Sequence, residues 1–202
     1  LSPAVTGRYV TVVSDPGRPG AVAESDEFNN SATTTTEIST PPADLQVVGV
    51  QAPASGFSGE LVVVNWTVNN AGGAVWNGAR YWRDGVWISR YPTLDARATF
   101  AGYQLHDNSQ GLAAGGSYTA ELEVALPAGA DGPFFVFVMA DVPWRGQPDE
   151  DTRGWNQLSL ERYAREAWEP VGLLNNVHST MTEVVYREAD LVVSGLTLVP
   201  DT

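Results

Sequence analysis

The sequence predicts an all-β protein, an immunoglobulin-like antiparallel β-sandwich with a short helical insertion. Short runs of alternating apolar and polar residues, the pattern of half-buried strands, are separated by Gly, Pro and Asn. Hydrophobic residues make up 43% of the 202 residues and charged residues only 17%, which is ample material for a packed core. Part of the sequence is also repeated. Short strands with few helices are typical of two packed sheets.

The repeat consists of short motifs that recur in the same order at one spacing. The segment 28–30 (FNN) recurs as 174–176 (LNN), and 43–45 (ADL) recurs as 189–191 (ADL). Both pairs are 146 positions apart (175 − 29 and 189 − 43). Self-similarity of this kind indicates a protein built from tandem repeats.

A longer match places the boundaries of the repeats. Residues 7–15 resemble residues 132–141 at an offset of 126 (141 − 15) instead of 146, so the second copy carries 20 extra residues before its Asn pair. The sequence therefore divides into three parts. They are residues 1–40 as the C-terminal part of a preceding repeat, 43–187 as a complete repeat with an insertion at about 142–173, and 189–202 as the first strand of a following repeat.

The complete repeat contains about seven predicted strands. The first covers residues 45–50, where the pattern leaves the buried face open. Residues 61–68 (LVVVNWTV) alternate clearly, and their uniformly apolar face is expected in the core with Trp66 at its centre. Residues 69–73 then supply a turn. The other candidate strands lie at 86–89, 117–126, 134–140 and 183–185.

The insertion has a different periodicity. In residues 158–168, apolar residues stand at positions 160, 163, 164, 167 and 168, which is a helical spacing. Ser159 is a candidate N-cap, and Pro170 is expected to end the helix. We expect a short amphipathic helix that packs across one edge or end of the sandwich.

Several segments follow one another in the order of a known family. They are 59–72 (GELVVVNWTVNNAG), 82–84 (WRD), 86–89 (VWIS), 112–118 (LAAGGSY), 126–129 (LPAG) and the Asn pair at 175–176. This series resembles the CARDB domain, the cell adhesion related domain found in bacteria, and residues 24–30 (ESDEFNN) resemble the end of that domain best. The resemblance implies an immunoglobulin-like fold, repeated in tandem in large exported proteins, and an extracellular or cell-surface location. The chain departs from the family in its insertion and at residues 171–173, which replace the acidic cluster before the second Asn pair.

Composition and charge exclude several functions. The formal net charge is −13 and the pI about 4.3, so the chain lacks the basic footprint that nucleic acid binding needs. No run approaches the ~20 apolar residues of a membrane span, so we expect no membrane insertion. The sequence has no Cys, which rules out thiol catalysis and Cys-ligated metals.

The sequence offers little for catalysis. Its two histidines, His106 and His178, are far apart, and it contains no Gly-x-Ser-x-Gly elbow, His-Glu-x-x-His motif or phosphate-binding loop. We therefore expect no enzymatic activity and no cofactor.

Two acidic runs are the candidates for a metal site. Oxygen ligands supplied by loops suit calcium, which would stiffen a tandem array at a domain junction. Neither run has the spacing of an EF-hand loop, so solvated loops are the favoured interpretation and calcium is the alternative. The candidate ligands are Glu24, Asp26, Glu27, Asp149, Glu150 and Asp151.

Aromatic residues cluster between positions 76 and 91. Exposed aromatic side chains stack on sugar rings, and the candidates for such a glycan site are Trp76, Tyr81, Trp82 and Tyr91. Packing between the sheets is the favoured interpretation, above all for Trp82 and Trp87, because apolar residues at strand positions usually lie in the core.

The sequence thus predicts a non-catalytic structural or adhesion-type repeat module that acts as a spacer or interaction domain. Its expected partners are neighbouring repeats of the same chain and a surface protein or glycan, with a carbohydrate-binding accessory module as the alternative. Pro41 and Pro42 favour a semi-rigid linker. Residues 1–38 are too few to bury an apolar face alone, so we expect them to pack on the complete repeat or to pair with residues 189–199 of the same or another chain.

Overall fold

Ten strands make up the regular structure of the described residues. The computed structural model describes residues 5, 7–16, 22–26, 28–142, 167, 169, 174–187 and 194–195. The strands are β1 (Gly7–Val13), β2 (Ser31–Ile38), β3 (Leu45–Gln51), β4 (Ser55–Phe57), β5 (Leu61–Asn70), β6 (Tyr81–Ser89), β7 (Thr99–Asp107), β8 (Ser117–Ala125), β9 (Gly132–Met139) and β10 (Val177–Val185).

Strands β3 to β10 form a sandwich of two sheets. One sheet has three strands in the order β3-β5-β8, and the other has five in the order β4-β10-β9-β6-β7. The pairings are antiparallel except for that of β4 with β10, which is parallel. Strands β1 and β2 form a separate antiparallel pair. The predicted all-β, immunoglobulin-like sandwich is confirmed.

The main core lies between the two sheets. The predicted apolar face of β5 is buried, and Trp66 at its centre is only 2% exposed. Across the core, β6 contributes Trp82 and β9 contributes Val136 and Val138, all completely buried. Each such side chain contributes on the order of 1.5–3 kcal/mol when it leaves water, so the period-two pattern accounts for the packing of the two sheets.

Two of the strands were not predicted from the sequence. Strand β7 (TFAGYQLHD) lacks a clear alternation, because its pairing with β6 is interrupted by a register shift beside Gly102. Gly102 has a φ of 146°, which an L side chain rarely adopts. The second, β4, has only three residues, too few to show a period.

A second apolar cluster covers the outer face of the five-stranded sheet. Trp87 and Phe137 lie directly opposite each other on β6 and β9 and are each 4% exposed, with Met139 completely buried beside them. The Trp87 ring lies over Gly85, where a Cβ atom would collide with it. The prediction that Trp87 fills the space between the sheets is therefore wrong. Trp82 does so, because it points to the opposite face of the same strand.

From Tyr9 to Val13, the β1–β2 pair has the same register as the β9–β10 pair. Val10 lies opposite Thr34 and Val12 opposite Ala32, as their counterparts at 136 and 138 lie opposite 180 and 178. The Ser14 amide donates to the Asn30 carbonyl at 2.9 Å, and the equivalent bond from 140 to 176 measures 3.0 Å. This match supports the predicted repeat, while the division of the chain into three parts stays a prediction.

The two strand pairs differ in burial. Nearly every residue of β1 and β2 is exposed, with Tyr9 and Val12 both at 67%. Of the two expectations for residues 1–38, packing on the complete repeat is not found for these strands within the described residues, since their apolar side chains are exposed, and pairing with residues 189–199 stays a prediction. The predicted helix at 158–168, described only at Ala167, and the pairing partner 189–199, described only at 194–195, lie outside the described residues.

Candidate functional site

A buried carboxylate joins the two sheets at the centre of the sandwich. Asp84 on β6 is 1% exposed, and its Oδ2 accepts hydrogen bonds from Trp66 Nε1 at 2.9 Å and from the Tyr118 hydroxyl at 2.8 Å. Its Oδ1 accepts the Asp141 amide at 3.3 Å. Trp82 Nε1 in turn donates to the Tyr118 oxygen at 2.9 Å. The network thus ties β5 and β8 of one sheet to β6 of the other.

Burial controls the ionisation of this network. It raises the pKa of Asp84 to about 6, although the hydrogen bonds from Trp66, Tyr118 and the Asp141 amide act in the opposite direction. Burial, followed by the nearby Asp84 charge, also raises the pKa of the Tyr118 hydroxyl. Because Asp84 has almost no exposed surface and accepts hydrogen bonds from the core, the arrangement suits a structural role and not contact with a substrate.

The histidines do not form a catalytic pair within the described residues. His106 is stacked on Trp82 and Tyr118, with ring centroids 4.2 and 3.8 Å apart, and burial lowers its pKa. His178 lies on β10, opposite Val138. Sequence reasoning missed the Asp84 network, because the predicted strand at 86–89 did not include Asp84.

Two further carboxylates attach the end of the insertion to the sandwich. Asp141 Oδ2 accepts the amide of Ala167 at 3.1 Å. Glu169, 4% exposed, accepts the Leu45 amide at 3.0 Å and the Asn176 side-chain amide at 2.6 Å. Glu169 therefore links the insertion, the first residue of β3 and the second Asn of the repeated pair.

The calcium candidates do not converge in the part of the chain that is described. Glu24 and Asp26 are exposed, and Asp26 Oδ1 accepts the Phe28 amide at 2.9 Å. Glu27 and the run Asp149, Glu150 and Asp151 lie outside the described residues. Within the described residues, no group of three acidic, His or Cys side chains has the geometry of a metal site. The calcium hypothesis stays a prediction.

The aromatic candidates are divided between the core and the two ends of β6. Trp82 is completely buried, so it is excluded as a platform for a sugar. Tyr81 and Tyr91, 41% and 44% exposed, lie at opposite ends of β6, and the Arg97 guanidinium lies 3.6 Å from the centre of the Tyr91 ring. Trp76, 39% exposed, precedes the same end of β6 as Tyr81. A single row of four exposed rings is therefore not formed.

A polar pocket lies at the Tyr81 end of the sandwich. It has a volume of about 350 Å³ and is lined by Asn77, Arg80, Asn108, Ser109, Gln110 and Gly111. Residues 77 and 80 belong to the loop that precedes β6, and residues 108–111 belong to the loop that follows β7. Sequence reasoning did not find this pocket, since its two loops are brought together only by the pairing of β6 with β7.

A broader groove of about 590 Å³ crosses the outer face of the three-stranded sheet. Its lining side chains form two rows in register, Gln51 beside Asn65 and Glu121, and Gly49 beside Thr67 and Thr119. Apart from Gly49, these are polar residues at the solvent-facing positions of the strands, as expected for the outer face of an antiparallel sheet. Within the described residues, no helix has the length and apolar character that a membrane crossing requires.

Comparison with known proteins gives structural similarity only. No protein-family model matches the sequence, and no curated protein matches it. The chain is similar to the crystal structure of a CARDB domain from Pyrococcus furiosus, in complex with di-metal ions, with a TM-score of 0.41 and 15% identity over 71% of this chain and 89% of that one. A solution structure of the same domain gives a TM-score of 0.39 and 13% identity over 73% of this chain and 98% of the other.

A β-glucosidase from Listeria innocua is also similar, with a TM-score of 0.37 and 13% identity over 75% of this chain but only 17% of the enzyme. These likenesses concern the fold alone. The first two agree with the CARDB-like fold that the order of motifs predicted.

Proposed function

We propose that the chain is a non-catalytic structural module, one complete repeat of a tandem array of β-sandwich domains in a large exported bacterial protein. In this role each repeat is a rigid unit, and the array spaces or presents other domains outside the cell or at its surface. Stability in such arrays comes from each repeat and its immediate neighbours. The neighbouring repeats are therefore its first partners.

The observation that carries the proposal is the equal register of β1–β2 and β9–β10. From Tyr9 to Val13 the same pairs of positions are opposed as in β9–β10, whereas a register shift between Gly7 and Tyr9 is found in β1–β2 alone. Asp15 and Asp141, which follow β1 and β9, both have positive φ angles of 43° and 49°. Within the described residues these are the only residues other than Gly with positive φ. A backbone conformation of this kind is uncommon in Asp, so its recurrence at matched positions supports two copies of one structural unit.

The linker between the copies is docked on the sandwich, which supports a rigid array. The carbonyl of Pro42 accepts the Gly73 amide at 2.8 Å, and the carbonyl of Asp44 accepts the Ala71 amide at 2.8 Å. A Cβ atom at Gly73 would collide with the backbone of Pro41. Only Ser39 and Thr40 then separate the end of β2 from the docked segment, which limits the relative motion of the two units.

A designed two-repeat chain tests this role. Because Ile38 and Val184 are equivalent, residues 1–184 followed by residues 39–187 place the native linker between two complete repeats. Small-angle X-ray scattering should show an extended particle whose largest dimension grows by about 33 Å, the length of the 10-residue strand β5 at its usual rise per residue. The matched control carries Gly-Ser-Gly-Ser in place of residues 39–42 at the junction, and its distance distribution should be broader.

A spacer role would be contradicted by either of two results. The first is a two-repeat particle no longer than a single repeat, which would mean that the sandwiches fold back on each other. The second is identical scattering from the native and the Gly-Ser linkers, which would mean that docking of Pro41 and Pro42 does not restrict the array.

A further inference from the structure

The pocket at the Tyr81 end of the sandwich has fixed walls. Asn108, 5% exposed, joins its two loops: its Nδ2 donates to the Ala79 carbonyl at 2.9 Å, and its backbone amide donates to the Arg80 carbonyl at 2.8 Å. Its Oδ1 accepts the Leu112 amide at 2.8 Å, and the Leu112 carbonyl accepts the Val75 amide at 2.9 Å. A buried residue that makes three such bonds, two through its side chain and one through its backbone amide, holds both loops in place, so the pocket is preformed.

The exposed side chains of the pocket supply several kinds of hydrogen-bonding group. Asn77 and Gln110 offer amides, Ser109 a hydroxyl and Arg80 a guanidinium, and all four residues are exposed. The pocket volume of about 350 Å³ lies within the range of small-molecule sites. Neutral donors and acceptors beside one cation suit a ligand that has many hydroxyls and one negative charge.

Aromatic residues flank this polar group in the chain. The Trp76 indole lies over Gly78, where a Cβ atom would collide with the ring. Glycine at position 78 therefore allows the indole to pack against the backbone of the loop that precedes β6. The Arg80 guanidinium carbon lies 5.6 Å from the centre of the Tyr81 ring. Both rings are about 40% exposed, and they adjoin the pocket residues 77 and 80 in the chain without being part of the pocket lining.

Among the described residues, Arg80 is also a cation without a carboxylate partner. The chain has a net charge of −13, and its 11 basic side chains are all Arg. Arg97 is paired with Asp95 at 2.5 Å, whereas Arg80 makes no ion pair within the described residues. Asp107, the last residue of β7, accepts the Ser109 amide at 2.8 Å with its Oδ1. The pocket therefore offers an unneutralised guanidinium to a ligand.

We propose that this pocket binds a sugar unit that carries a carboxylate, a uronic acid within a polysaccharide. Arg80 pairs with the carboxylate, Asn77, Ser109 and Gln110 bind the ring hydroxyls, and Trp76 contacts an apolar face of the ring. An acidic peptide fits less well, because a row of carboxylates needs several cations and the pocket has one. The site adds a ligand to the proposed spacer role and does not depend on it.

Titration with trigalacturonate, followed by amide chemical shifts of the labelled protein, tests the proposal. Shifts are expected in residues 77–81 and 107–112, with the rest of the spectrum unchanged. The fully methyl-esterified trimer has the same rings without the charge and should bind at least tenfold more weakly, since charge-assisted hydrogen bonds contribute most to such contacts.

Three variants identify the contributing side chains. Arg80→Gln should weaken trigalacturonate binding at least tenfold and leave the ester unaffected, whereas Trp76→Ala should weaken both. Arg187→Gln is the matched control, because Arg187 is also exposed and stacked on an aromatic ring, that of Phe57, at the opposite end of the sandwich. It should bind as the unmodified protein does.

The proposal is overturned if about 10 mM trigalacturonate shifts none of these amides, a concentration that reveals even weak binding. It is also overturned if the shifts lie elsewhere, if Arg80→Gln binds unchanged, or if a hexaglutamate peptide shifts the same amides as strongly. None of these outcomes bears on the scattering of the two-repeat chain, so the two proposals fail separately.

Discussion

Replacing Asp84 with Asn tests whether the buried carboxylate is the origin of a pH-dependent stability. Burial raises the pKa of Asp84 from its ordinary value of 3.8 to about 6 in the folded protein. The folded state therefore binds this proton more tightly than the unfolded state does. The resulting stabilisation is fully present below about pH 4 and is lost as the pH rises through about 6. A shift of about two pKa units corresponds to about 3 kcal/mol.

The variant removes the titration but keeps most of the contacts. An Asn oxygen still accepts the Trp66 and Tyr118 hydrogen bonds, whereas its NH₂ group faces the Asp141 amide and loses the bond measured at 3.3 Å. That loss costs about 1 kcal/mol at every pH. Urea unfolding, followed by Trp fluorescence at intervals from about pH 4 to pH 7, gives the free energy of unfolding of both proteins.

The unmodified protein should gain about 3 kcal/mol relative to Asp84→Asn between about pH 7 and pH 4. Thr119→Ala on the exposed face of β8 is the control, because neither side chain carries a charge, and its difference from the unmodified protein should not change with pH. A constant difference for Asp84→Asn would refute the reasoning, because Asp84 would then titrate alike in both states. A difference in the free energy of unfolding that shrinks towards acid pH would refute the reasoning more strongly, since the pKa of Asp84 would then be lowered by folding and not raised.

Four further substitutions test separate contacts, three by the same unfolding measurement and one by proteolysis. Trp66→Phe removes the donor to Asp84 and should cost about 2 kcal/mol, and an unchanged stability would show that this hydrogen bond contributes nothing. Val138→Ala should cost about 2 kcal/mol, whereas Val12→Ala at the equivalent exposed position should stay within about 0.5 kcal/mol; equal effects would contradict the difference in burial. Gly73→Ala places a Cβ atom against the linker backbone and should speed proteolysis near residues 39–42, which unchanged cleavage would contradict.

The sequence was sufficient where burial follows one regular period. Strand β5 was predicted with the correct buried face, because the residues from Val62 to Val68 alternate without interruption. Its pairing with β8 has no register shift that would disturb this alternation. The same reasoning was correct for Trp82 but failed for Trp87. They are five positions apart on one strand, so they point to opposite faces and belong to different apolar clusters. A sequence read without strand boundaries assigns both to one core.

The candidate sites were harder to predict, because they depend on pairing across the chain. The Asp84 network joins residues that are 18, 34 and 57 positions apart, and no local pattern links them. The pocket beside Arg80 depends on β7, which was not predicted at all. The sequence did identify Trp76 and Tyr81 as exposed aromatic candidates, but the polar side chains between them become a pocket only when Asn108 closes the second loop.

The repeat itself explains how the insertion is tolerated. Asp15 Oδ2 accepts the Val22 amide at 2.8 Å, 7 positions further on, and the equivalent Asp141 Oδ2 accepts the Ala167 amide at 3.1 Å, 26 positions further on. Both copies thus close the segment after the strand with the same carboxylate, before the chain returns to the Asn pair. Closing the longer loop costs only about 1 kcal/mol more, because loop entropy grows with the logarithm of length. The carboxylate anchor therefore allows one copy to carry 20 additional residues without a change in strand register.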